Sequence, residues 1–258
     1  MKFNLFNQSL ELTITTMITN PDSWQLLRLL QLTSPALPVG AYSYSEGIEY
    51  LCSNGTIQTE SDLCDWLQRE MHFGFVTNEA AIALRAYQST LSDDIIALNY
   101  WNNWLSATRE TEEIRLASWQ MGQSLMKLWQ QLPDHQEDQL ESKSIHKLLP
   151  TAKDNIHGKG CNYAIAFGIV AASIGIDASN AIVGYIYSWL SNLVSAAVRS
   201  VPFGQTTGQQ IIFRLSPDIY SSSQLALNLL DNELEWCGWG TSLASANHET
   251  QYSRLFRS

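Results

Sequence analysis

A chain of 258 residues with 45% hydrophobic content can bury a substantial core, and the length suits one large domain. Its 15 Lys and Arg stand against 25 Asp and Glu, a net charge of -10 that argues against general affinity for nucleic acid or an anionic membrane. Cys52, Cys64, Cys161 and Cys237 form no C-x-x-C pair, and the first residues lack the basic start and apolar run of a secretory signal. Reduced thiols in a cytoplasm are the expectation.

Residues 1–20 mix Asn, Gln and Thr into their apolar positions and read as a loosely tethered arm. A helix is expected from Asp22 or Ser23 through Trp24, Leu26, Leu27, Leu29, Leu30 and Leu32, ended by Pro35. In the next stretch, 34–49, Pro35 and Pro38 hold the backbone extended while Gly40 and Gly47 permit turns. Tyr42 and Tyr44 alternate there with Ser43 and Ser45, which suits either a connection tucking two rings into a core or an exposed recognition segment.

A short helix should follow over 45–52, stopped by Asn54 and Gly55. Thr59 and Asp62 then open a helix to about Phe75, Asn78 starts another through Tyr87, and Ser92 or Asp93 caps the next through Trp104. The longest helical pattern runs over 109–132. Its Arg109 to Glu113 and Glu112 to Arg115 spacings suit neighbour pairs of about 0.2–0.5 kcal/mol.

Residues 134–155 are the most polar and read as a surface excursion. From 160 onward Gly, Ala and Ser separate the apolar residues. Helices over 160–176 and 178–201 should therefore form a tight hairpin around Asp177 as N-cap. The first is shorter than the roughly 20 apolar residues a bilayer needs, so buried helices are expected rather than membrane spans.

Beyond Pro202, Gly204 and Gly208 would leave a bare strip on a helix, for a neighbour in the same subunit or in a second one. Gln205, Thr206, Gln209 and Gln210 would form a solvated face or line a passage. Arg199, if buried, needs a carboxylate or several carbonyls. A last helix is expected over 221–236, so that the chain divides into the arm, a helical body over 21–240 and a tail over 241–258. The tail carries Tyr252, Leu255 and Phe256 beside Arg254 and Arg257, a composition that can order on a partner.

Enzymatic signatures are missing. There is no G-x-x-x-x-G-K-[ST] loop, no G-x-S-x-G elbow, no H-E-x-x-H and no Glu-x-x-His pair. The five histidines are scattered, and His157 with Cys161 is the only local metal hypothesis, with no more than two ligands.

Four stretches resemble the urease accessory protein F family: LLQLTSPALPVGAYSYSEGIE (29–49), RETEEIRLASWQMGQSL (109–125), SAAVRSVPFGQTTGQQ (195–210) and NHETQYSRLFRS (247–258). The resemblance implies an all-α, single-domain fold of about ten helices, a homodimer and no catalysis. It also implies binding to accessory protein D (H in some organisms), recruitment of the GTP-binding accessory protein G, and help in loading nickel into apo-urease. On that reading no cofactor is bound permanently, nickel is handled by the complex and GTP by the partner. The resemblance places partner contacts first at Tyr42 and Arg254, which a tyrosine hydroxyl or cation–π contact could join, then at Ser43, Tyr44, Glu46, Arg199, Gln205, His248, Tyr252, Leu255 and Phe256. The alternatives are a helical small-molecule-binding protein or enzyme, with its pocket between the Gly-rich helices and Tyr42, and an interaction module with no nickel connection.

Overall fold

The computed structural model describes residues 21–132, 160–235 and 238–257, so the arm, the polar excursion and His157 lie outside the described residues. Eleven α-helices and two 3-10 turns make up the described structure, which is all-helical. In chain order they are α1 (Pro21–Leu32), α2 (Ile48–Ser53), α3 (Glu60–Phe73), α4 (Val76–Leu91), α5 (Ile95–Thr108) and α6 (Glu112–Gln131), then α7 (Tyr163–Ser173), α8 (Ala178–Ser200), α9 (Gln205–Arg214), α10 (Ser216–Asn228) and α11 (Trp239–Glu249).

The core is built on α4 and α7. Ala80, Ala81, Ile82, Ala83 and Ala86 of α4 and Ala164 to Ala171 of α7 are sealed from solvent. Small side chains let the two backbones touch: a Cβ on Gly168 would fall 2.2 Å from the Ala83 carbonyl oxygen. This corrects the expected hairpin, because α7 spends its small residues on α4 and then on α6, and only secondarily on α8. Asp177 does cap α8, accepting from the backbone N–H groups of Ser179 and Asn180. α8 is long and apolar enough to cross a membrane, yet 56% of its most apolar stretch is buried against α10, α4, α2 and α9.

Local signals were followed where a side chain caps a helix. Thr59 and Asp62 form a reciprocal capping box on α3. Asp94 caps α5 in place of Ser92 or Asp93, and Asp93 takes a positive φ of 54° to make the turn. Thr111 caps α6, which leaves Arg109 outside the helix. The expected Arg109 to Glu113 pair is therefore absent, and Arg109 pairs with Glu79 of α4 instead. Gly204 sits before α9 in open space, so only Gly208 meets α8, at Val194 and Val198. Instead of one helix over 221–236 the chain makes α10, a 3-10 turn at Asp231–Glu233 and α11.

Gly168→Ala should lose about 1–3 kcal/mol in urea unfolding, because the new methyl forces two core helices apart. Gly204→Ala, with nothing within 4 Å and an ordinary φ of -74°, should change stability by less than about 0.5 kcal/mol.

Candidate functional site

The segment between α1 and α2 is shaped by two left-handed glycines. Gly40, at φ 82°, starts the 3-10 turn Ala41–Ser43, and Gly47, at φ 84°, starts α2. Gly47 also lies flat on α11, where a Cβ would be 2.7 Å from that of Ala244. Between them Tyr44 is buried, its hydroxyl donating to Gln120 Oε1 at 2.8 Å, while Tyr42 keeps its ring in solvent at 66% exposure. Burial raises the Tyr44 phenol, against the nearby positive charge of Arg257.

Glu49, in the first turn of α2, is buried and carries the tail. Its Oε1 accepts the Leu255 N–H at 2.6 Å and its Oε2 the Phe256 N–H at 3.0 Å. The same Oε2 lies 3.0 Å from His248 Nε2. The fully buried His248 ring places Nδ1 3.2 Å from Glu113 Oε2, and Arg254 Nη1 donates to Glu113 Oε1 at 2.7 Å. Three elements, α2, α6 and α11, are thus joined to the tail through two carboxylates.

A second set of contacts closes the far side. Arg257 N–H donates to the Ser43 carbonyl at 2.8 Å. Arg199, at the end of α8, donates to the carbonyls of Tyr42 at 2.9 Å and Ser195 at 3.2 Å, and its guanidinium lies 4.3 Å over the ring of the buried Phe256. Tyr42, Ser43, Arg199, His248, Arg254, Leu255 and Phe256 therefore share one site. The expected tyrosine hold on Arg254 is replaced by Glu113, and the cation–π contact belongs to Arg199 and Phe256. Tyr252 and Leu255 stay exposed beside it.

Two candidates stand elsewhere. Gln205 is exposed at the start of α9. Glu46, at a positive φ of 49°, turns inward and accepts from Trp189 Nε1 at 3.0 Å; burial raises its carboxyl, partly offset by that bond and by Arg109. It lies between two adjoining cavities of about 120 and 40 Å³ that share Glu46, Glu79, Arg109, Ile114 and Trp189.

Glu49 and Glu113 were missed by sequence reasoning, as was Gln120. The available signal was a carboxylate in the run Ile48-Glu49-Tyr50-Leu51, whose other residues face inward. Cys161 is buried with its thiol pushed up to about 12, a poor state for a thiolate ligand. Among the described residues no group of three or more His, Cys, Asp or Glu is placed to hold a metal ion.

A family profile for UreF matches residues 57–216. A urease accessory protein UreF from a Nostoc species is 50% identical over 90% of this chain and 95% of its own length. The Synechocystis protein of the same name is 44% identical over 90% of this chain and 97% of its own. That of Chromohalobacter salexigens is 34% identical over 95% and 99%.

The chain belongs to the UreF family. Its site consists of hydrogen bonds, ion pairs and exposed aromatic and apolar side chains, an arrangement suited to holding and presenting a surface.

Glu49→Ala should free the tail of this UreF-family chain by removing the acceptor for three donors. Trypsin cleavage after Arg254 should accelerate at least about tenfold and stability fall by about 1–3 kcal/mol, read by mass spectrometry and urea unfolding.

Proposed function

We propose that this UreF-family chain is a non-catalytic adaptor in urease maturation. It binds accessory protein D (H), recruits the GTPase accessory protein G, and assists GTP-dependent nickel insertion into apo-urease in the cytoplasm. Nickel is cargo here, and GTP is bound by the partner.

The observation that carries the reading is the union of the 40–49 segment with the tail. Tyr42 stands exposed on the loop, and Tyr252 and Leu255 stand exposed on the tail beside Arg254, which is tied to Glu113 by one of its two Nη groups. Exposed aromatic rings around an arginine are the composition of interface hot spots. Because Glu49 and Glu113 fix the backbone beneath them, the side chains are pre-positioned and docking loses less conformational entropy. A partner seated there favours one arrangement of tail and loop, and that preference couples it to a second partner touching either element. A homodimer is part of the proposal; it is supported by α1, which exposes Trp24, Leu26, Leu27 and Leu30 on one side.

The 120 Å³ cavity favours a second reading. It lies between residues 32–46 and α8, and Tyr163, Tyr185, Trp189 and Asn192 contribute to its wall, a setting for a small organic molecule beside Tyr42.

Reconstitution of urease activity from apo-urease, nickel, GTP and the D and G proteins separates the two. The adaptor reading expects activation to require this chain, and Arg254→Ala to weaken partner binding by about tenfold or more with helical content unchanged. Activation that is the same without the chain overturns it. A stoichiometric molecule copurifying in the cavity would support the second reading.

A further inference from the structure

Arg109 Nε and Ser191 Oγ are buried side-chain atoms without a hydrogen-bond partner among the described residues, and both residues line the 120 Å³ cavity between the 32–46 segment and α8. Other polar groups on the same wall are engaged within the protein. The Asn192 amide donates to the Tyr44 carbonyl at 3.1 Å, the Tyr44 hydroxyl to Gln120 Oε1 at 2.8 Å and the Ser118 hydroxyl to Asn162 Oδ1 at 3.2 Å. A buried donor left unmade is costly, so an occupant that satisfies it is favoured over a purely apolar one.

The nearby charges restrict what that occupant can be. The charged residues on the wall are Glu46, Glu79 and Arg109. The Arg109 side chain is only 9% exposed and gives one Nη group to Glu79, so the two neutralise each other. Burial favours the uncharged form of Glu46, whose Oε2 accepts from Trp189 Nε1. An anion would sit beside two carboxyl groups and a cation beside the guanidinium, and either would lose its hydration without a free counter-charge. An uncharged molecule avoids that cost. Because the Arg109 Nε–H can only donate, the molecule must bring an acceptor oxygen, whereas the Ser191 hydroxyl can donate or accept.

We infer that the cavity binds a small uncharged carboxamide, its carbonyl oxygen accepting from Arg109 Nε, its amide group meeting the Ser191 hydroxyl and its apolar body lying against Ile114, Met121 and Tyr185. The size is suitable. With the adjoining 40 Å³ void the cavity is on the scale of those of about 150 Å³ that take up benzene. The exposed Tyr42 and Pro35 also line it, so it reaches the surface and a ligand has a way in. This ligand class rests on the cavity being a binding site, the second functional reading, and holds equally if the chain is also an adaptor.

Benzamide, benzoate and benzamidine share one shape and differ in charge. Methyl-labelled methionine gives a local readout, since Met121 is on the cavity wall and Met126 is sealed in the core. In NMR titrations of the full chain, benzamide should shift the Met121 methyl saturably, leave Met126 in place and bind at least about tenfold more tightly than either charged analogue. Ser191→Ala should weaken benzamide about three- to tenfold. Arg109→Lys, which keeps a charge for Glu79 but removes the Nε–H, should weaken it as well; where that change displaces the Met126 signal, Ser191→Ala, which breaks no ion pair, decides. Benzoate or benzamidine binding as tightly as benzamide overturns the carboxamide assignment and leaves the cavity a binding site. No shift of Met121 with any of the three overturns both. Benzamide affinity unchanged in Ser191→Ala overturns the assigned contacts.

Discussion

One carboxylate fixes the loop-and-tail face of this UreF-family chain. Glu49 is buried in the first turn of a six-residue helix, and it accepts from His248 and from two backbone N–H groups of the tail. A buried carboxylate costs several kcal/mol in desolvation unless its lone pairs are filled, and here each oxygen has a donor. That demand ties the end of the chain to its beginning. Without it the Arg199 stack on Phe256 and the Arg257 bond to Ser43 would have to order the tail by themselves.

The rest of the fold keeps that carboxylate in register. α4 and α7 touch backbone to backbone through Ala83, Ala86 and Gly168, giving a rigid centre. α8 lies across it, and its neighbours include α2, while its last turn brings Arg199 to the Tyr42 carbonyl. α6 brings Glu113 and Gln120 to the same place, one to the tail and one to Tyr44. Loop, tail and two long helices thus meet on one surface, and the ions inside it pair with each other before any partner arrives.

Helices were legible in the sequence wherever periodicity was reinforced by a cap, as at Thr59 and Asp177. α11 escaped because Gly240, Ser242, Ser245 and Asn247 give it no apolar stripe; its burial comes from close backbone approach and from His248, which only tertiary structure supplies. Resemblance singled out the 34–49 segment and Arg254, but their physical partners in the fold were not readable from sequence. Glu113 suited a helical-neighbour pair with Arg109 in the sequence, whereas its partners in the fold, His248 and Arg254, lie 135 and 141 positions away. The small residues after 160 announced close packing correctly but could not say against which helix.

The account rests on the Glu49–His248 contact being a true coupling between the start and the end of the chain. A double-mutant cycle in urea unfolding with Glu49→Gln and His248→Gln measures it most directly. The account predicts a coupling energy of about 1–3 kcal/mol. Additivity within about 0.3–0.5 kcal/mol would show that the two residues stabilise the protein independently and would contradict it.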